Sequence, residues 1–349
     1  MPLIQESELK KQITKSDFAP LYVLYGAEKY LLVRAAKALI QKAGKQDFSE
    51  FNLNEFSAEA DIDKIADAAT ALPLMAERKC VAVSDWNVDE KNAAELNKLN
   101  ELLEDLSDST VLIFYYPTTE QGKKKSAKWN NFLKKAAAKG MVVEFKPKEP
   151  GELSKRLIRE AEKRGCLLTK TNADRLVEYT GADLKALMNE LEKLCAFANG
   201  AEITRDMLEK LVTKNLETTA FLLSDALVGG YYEKTYQLMH QLFENGEEPV
   251  AVLAALSSAY VDMMRVKAAV QSGLSSSAPT EYGEYKGKEF RLRKAERNAK
   301  PLSVEVLRNS LEILLETDLA LKGSKINAKI VMDSLIAKLL LCAKGEKEF

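Results

Sequence analysis

The residues at which nucleotide chemistry could occur in this chain are few. A short apolar run, Leu21 to Gly26 (LYVLYG), ends in glycine and precedes Lys29 to Ala43, where Leu32, Ala36, Leu39 and Ile40 recur with helical spacing. A strand that delivers a glycine turn to a helix N-terminus is where an α/β protein receives phosphate, because exposed amides and the helix dipole face the anion there. The text is Gly26-Ala27-Glu28-Lys29-Tyr30-Leu31. It has no second glycine, no Gly-Lys pair and no Ser or Thr for magnesium, and Glu28 would repel a phosphate. Gly287-Lys288 is a fragment of such a loop, but Glu289 follows it and no apolar strand precedes it. Magnesium-dependent hydrolysis would also need an acidic pair at the end of an internal strand. Val81 to Ser84 ends in Asp85-Trp86, one carboxylate without a partner, and Thr110 to Tyr116 runs into Pro117.

Other chemistries are excluded by count and spacing. The 349 residues contain one histidine, so a multi-histidine metal site is out of reach. His240 stands beside Leu238, Met239 and Leu242 on a helical pattern, which reads as a surface or boundary position. Cys80, Cys166, Cys195 and Cys342 are widely separated, with no CxxC pair, and read as scattered structural thiols. With 46% apolar and 30% charged residues the chain can bury real cores. Its 51 basic and 52 acidic residues leave a net charge of -1, so no whole-molecule field directs it to nucleic acid or membrane.

Binding features are more prominent than catalytic ones. Lys123, Lys124, Lys125, Lys128, Lys134, Lys135 and Lys139 form a basic run without an acidic residue, interleaved with Trp129 and Phe132. A second run holds Lys286, Lys288, Arg291, Arg293, Lys294, Arg297 and Lys300 against Glu289 and Glu296. Such clusters can neutralise phosphates, and the competing reading is a solvated helix face. Leu72-Pro73-Leu74-Met75 follows the helical pattern of Ile62 to Ala71, and Pro73 stops that helix from continuing. The apolar tip can anchor a partner or pack back onto the sheet, and periodicity by itself favours packing back.

The elements that would position these features fall into two styles. Up to Phe145, apolar runs at Leu21 to Gly26, Phe51 to Phe56, Val81 to Ser84, Thr110 to Tyr116 and Met141 to Phe145 alternate with helical patterns, predicting an α/β layer with a mostly parallel sheet. Lys146 to Gly151 contains two prolines and a glycine and marks a boundary. Beyond it only helices are predicted. Thr171 with Asp174 resembles a capping box, Thr204 can cap the following helix, and Leu184, Leu187, Met188, Leu191, Leu194 and Cys195 form one apolar stripe. From 215 onward further helices are punctuated by Gly246, Gly273 and Gly323, placed as C-terminal caps.

Four segments in order, LYVLYGAEKYLL, ALPLMAERKCVAVSDW, TGADLKALMNELEKL and DLALKGSKINAKIVMDSLIAKLL, resemble the delta subunits of the bacterial DNA polymerase III clamp loader. The resemblance spans about residues 18 to 343, and Gly181, Asp183, Leu184 and Glu190 to Leu194 are its most specific piece. It implies an AAA+-like α/β domain over 1–148, a small helical lid over 149–214 and a helical collar over 215–349. It also implies a subunit without catalysis of its own in the DNA polymerase holoenzyme, binding no cofactor, with ATP held only by partner subunits of the gamma/tau and delta-prime types. Such a subunit binds and opens the beta sliding clamp for loading onto primed DNA. The clamp-binding element implied here is Leu72, Leu74 and Met75, and Lys123, Lys124, Lys125, Lys128, Lys134 and Lys135 become candidates for DNA contact.

The alternatives are a motor ATPase, a stand-alone DNA-binding protein and a scaffold of the polymerase assembly that ignores the clamp. The amino terminus has no apolar signal core, and no stretch of 18 or more apolar residues is present, so a cytoplasmic bacterial protein without a membrane partner is expected.

Overall fold

Strands that run parallel must be joined through crossovers, so the alternation of apolar runs and amphipathic segments closes into a helix-covered sheet. In the computed structural model, which describes residues 6–44, 49–119, 126–283, 285, 289–323 and 326–345, the chain forms two compact units, Met1–Lys148 and Glu149–Phe349. The division between them lies within Lys146 to Gly151, the segment with two prolines and a glycine. The second expected boundary, at 214/215, lies inside the second unit.

In the first unit β1 (Leu21–Gly26), β2 (Leu53–Phe56), β3 (Lys79–Ser84), β4 (Thr110–Tyr115) and β5 (Met141–Phe145) lie in the order β2-β3-β4-β1-β5, all parallel. β1, β3 and β4 are buried along nearly their whole length, which is why they read as continuous apolar runs rather than alternating ones. The helices are α1 (Glu6–Lys15), α2 (Lys29–Gly44), α3 (Ser49–Asn52), α4 (Ile62–Thr70), α5 (Ala93–Glu104) and α6 (Ala127–Lys139). The run from Phe51 is therefore split: Phe51 and Asn52 end a short helix and β2 begins at Leu53. α1 was not predicted. Leu9 is its one buried side chain, in a segment otherwise made mostly of polar and charged residues.

Aromatic rings fill the core on one side of the sheet. Trp129 sits edge-on to Tyr25 and Tyr116 at centroid distances of 5.5 and 5.1 Å, and Phe114 edge-on to Phe132 at 5.5 Å. Trp86 donates its indole N–H to Ala60 O at 3.0 Å, and Tyr116 donates its hydroxyl to Trp86 O at 3.1 Å, so each buried polar tip has a partner. Burial drives the Tyr116 phenol well above its ordinary pKa.

Among its described residues the second unit is helical apart from a parallel bridge between Leu167 and Glu202: α7 (Pro150–Lys163), α8 (Lys170–Thr180), α9 (Leu184–Ala198), α10 (Arg205–Leu211), α11 (Leu216–Val228), α12 (Tyr232–Glu244), α13 (Pro249–Gln271), α14 (Glu289–Ala299), α15 (Val304–Gly323) and α16 (Ala328–Ala343). The stripe on α9 is buried as predicted, and Thr204 caps α10. The cap of α8 is Thr169 rather than Thr171. Thr169 has the extended backbone a cap requires and accepts from Asn172 N–H at 3.3 Å, while Asp174 pairs with Lys170. Gly246 and Gly273 take left-handed backbone after α12 and α13, whereas Gly323 closes α15 without it. α13 is long and apolar enough to cross a membrane by length and composition. Its Val252, Leu253, Leu256, Tyr260, Met263 and Val266 are instead packed into the core of this unit.

Candidate partner-docking site

Parallel pairing aligns the strand starts at one edge of the sheet and the strand ends at the other, and the two edges carry different features. Residues 71–78 join α4 to β3 at the starting edge. α4 stops at Thr70, Ala71 N–H returns to Asp67 O at 3.1 Å, and Pro73 keeps the chain out of helix. Beyond that point Leu72, Leu74 and Met75 are 84%, 48% and 78% exposed. The packing-back reading is thereby corrected. Ile62, Ile65 and Ala69 of α4 are buried in the core over the sheet, whereas the chain beyond Thr70 leaves that core.

The tip is nevertheless fixed. Asn52, 1% exposed at the end of α3, donates from Nδ2 to Leu74 O at 2.8 Å, and its Oδ1 accepts from Leu74 N–H at 2.7 Å. Met75 then takes left-handed backbone with φ +49, a conformation that costs a residue with a Cβ about 1 kcal/mol. The far end is tied down where the Arg78 guanidinium lies 5.1 Å from the centre of the Phe18 ring and Lys79 N–H bonds Ser109 O at 2.8 Å. Sequence reading missed Asn52 and Phe18. Both act across loops or elements, and neither carries a local spacing signal.

At the other edge lies the strand-glycine-helix turn. Gly26 has φ +133, and a Cβ there would run into the carbonyl of Phe145. Glu28 is buried and its N–H bonds Phe145 O at 3.0 Å. Lys29 Nζ donates to Tyr116 O and Thr119 O, both at 2.7 Å. Asp85 accepts from Thr118 N–H at 3.1 Å, Thr118 Oγ1 at 2.8 Å and Thr119 N–H at 2.9 Å. Burial pulls the Asp85 carboxyl upward, but the hydrogen bonds from Thr119 and Thr118 outweigh it and hold the pKa below the ordinary value. The lysine beside the turn and the carboxylate after β3 thus both grip one loop, residues 116–119. Among the described residues no three His, Cys, Asp or Glu side chains converge as metal ligands would.

The lysine run does not form one stripe. Lys123, Lys124 and Lys125 lie outside the described residues. On α6, Lys128, Lys135 and Lys139 share a face, and Lys134 stands about 120° away from them. Lys128 Nζ donates to Asp89 O and Lys91 O, Lys135 lies 3.8 Å from Glu104, and Lys139 Nζ donates to Glu104 O. Lys134 is exposed. Trp129 and Phe132 belong to the core rather than to a stacking surface.

In the second basic run, Lys286 and Lys288 also lie outside the described residues. Arg291, Lys294 and Arg297 on α14 turn to Asp262, Glu178 and Asp225, at 2.7, 2.5 and 2.5 Å. His240 is exposed on α12.

Two family models match the chain: one described as DNA polymerase III, delta subunit, over residues 22–146, and one described as DNA polymerase III delta subunit, C-terminal domain, over residues 217–339. The chain is 27% identical over 339 residues to the DNA polymerase III subunit delta of Bacillus subtilis, spanning 95% of each. It is 24% identical over 326 residues to that of Escherichia coli, spanning 93% of this chain and 92% of the other. Among solved structures it is similar to the Bacillus subtilis DNA clamp loader delta protein, with TM-score 0.57 and 25% identity over 96% of this chain and 99% of that one. Two models of one subunit thus match both the parallel-sheet unit and the carboxyl-terminal helices, and the chain belongs to the DNA polymerase III delta-subunit family of clamp loader proteins.

Proposed function

We propose that this subunit binds the beta sliding clamp through Leu72, Leu74 and Met75 and opens it, so that the loader can place it on primed DNA. The observation that carries the reading is an apolar tip held out in solvent on a backbone that Asn52 fixes. An exposed apolar cluster on an ordered loop is suited to an apolar pocket of a partner, because burial gains the transfer energy at little further cost in order. Opening a closed ring requires that the subunit bind the open interface better than the closed one, since equal affinity for both shifts nothing.

In this reading the chain hydrolyses no ATP. The hydrogen bonding of Lys29 and Asp85 to residues 116–119 supports that view, because both groups are occupied within the protein. ATP is bound by partner subunits of the gamma/tau and delta-prime types, and helices after about residue 215 join the loader as a collar, with 149–214 as a lid. DNA contact from α6 rests on Lys134 more than on Lys128 or Lys135, whose charges already have partners. The test is a pull-down of the purified chain against beta clamp, with and without ATP, comparing wild type with the Leu74→Ala, Met75→Ala double variant. Retained affinity in the double variant would overturn the docking assignment, and saturable ATP binding by the isolated chain would overturn the non-ATPase reading.

A further inference from the structure

Asn52 is an amide at a buried position, and both of its polar ends need partners there. It finds them in the N–H and the C=O of the same residue, Leu74, at 2.7 and 2.8 Å. This is the pairing one strand residue offers another, made by a side chain, so it fixes the backbone of Leu74 without touching its side chain. It acts at the residue before Met75, whose left-handed backbone would otherwise relax to extended forms. We infer that Asn52 is the positioning residue of the docking element: it holds Leu74 and Met75 in the conformation a partner's apolar pocket receives, so that little ordering remains to be done on binding.

The inference rests on the docking role proposed above and adds a residue that the partner does not touch. Leu74 is itself half exposed, so water can satisfy its backbone when Asn52 is lost. Removing Asn52 therefore costs order in the tip more than it costs the fold.

The experiment uses the full chain and beta clamp. Asn52→Ala is expected to weaken clamp binding about tenfold, and to abolish hydrogen-exchange protection of the Leu74 amide in the free protein. Leu74→Ala, Met75→Ala serves as the reference that removes the anchors while leaving Asn52 in place. If the double variant loses binding while Asn52→Ala binds as wild type does, the inference fails and the docking role stands. If the double variant also binds as wild type does, the docking role itself fails. Should Asn52→Ala not fold, the wild-type chain still decides: the Leu74 amide must be protected while that of Met75 exchanges freely, and rapid exchange at Leu74 would overturn the inference.

Discussion

Arg291 grips the carboxylate of Asp262 through Nε at 2.9 Å and Nη2 at 2.7 Å, and the other oxygen of Asp262 accepts the Tyr285 hydroxyl at 2.6 Å. The Asp262 side chain is almost wholly buried. A stretch that looks basic in the sequence is therefore in part an inward-facing staple joining α14 to α13. Burial, then the bond to Asp262, raises the Tyr285 pKa, so the phenol stays protonated as the donor.

Removing Asp262 takes away the buried partner of Arg291 and leaves it only the more exposed Glu217, 3.3 Å from Nη1. Asp262→Ala is expected to destabilise the second unit by about 3 kcal/mol, read as a lower midpoint in chemical unfolding of the full chain. A midpoint within error of wild type would show that Arg291 is hydrated or paired elsewhere.

The docking tip should behave in the opposite way. Leu74→Ala, Met75→Ala is expected to cost roughly 2 kcal/mol in clamp binding, about thirtyfold, with no change in unfolding midpoint, because both side chains are exposed. A parallel loss of stability would mean that the tip is part of the core.

Charge on α6 should be separable by residue. If DNA passes this helix, Lys134→Ala lowers the salt slope of DNA binding by the assembled loader by about one. Lys128→Ala has a smaller effect, since its ammonium is already bonded to the Asp89 and Lys91 carbonyls. An unchanged slope for Lys134→Ala returns α6 to a solvated face.

Asp85 supplies a pH dependence of known sign. Its folded pKa lies below the ordinary 3.8, so the unfolded chain takes up the proton first as pH falls. The stabilisation is complete above that ordinary value and is lost as pH drops through the lower, folded one. Asp85→Asn is expected to flatten acid unfolding in this window and to cost about 1 to 2 kcal/mol near neutrality. Equally steep acid limbs in the two proteins would remove Asp85 from the account.

Gly26 tests the turn at the same edge. With φ +133 and the Phe145 carbonyl in the way, Gly26→Ala is expected to destabilise the first unit by about 3 kcal/mol. A change near zero in thermal melting would show that β1 and β5 can move apart there.

What the residues settle unaided is local. LYVLYG and TVLIFY become strands, and the α9 stripe is buried, because period and run length act within one element. The missing second glycine near Gly26 and the missing acidic partner of Asp85 are matters of residue identity, legible without coordinates. Tertiary structure decides what depends on distant partners. Leu72, Leu74 and Met75 face solvent because α4 covers the sheet and Asn52, 22 residues from Leu74 in sequence, holds the loop. Trp129 and Phe132 sit among lysines in the sequence but on the buried side of α6, since each residue rotates the chain by about 100° and neighbours in sequence therefore fall on different faces. Arg291 turns inward and Arg297 pairs at the surface because Asp262 and Asp225 wait on other helices, 29 and 72 residues away, a pairing no local pattern encodes.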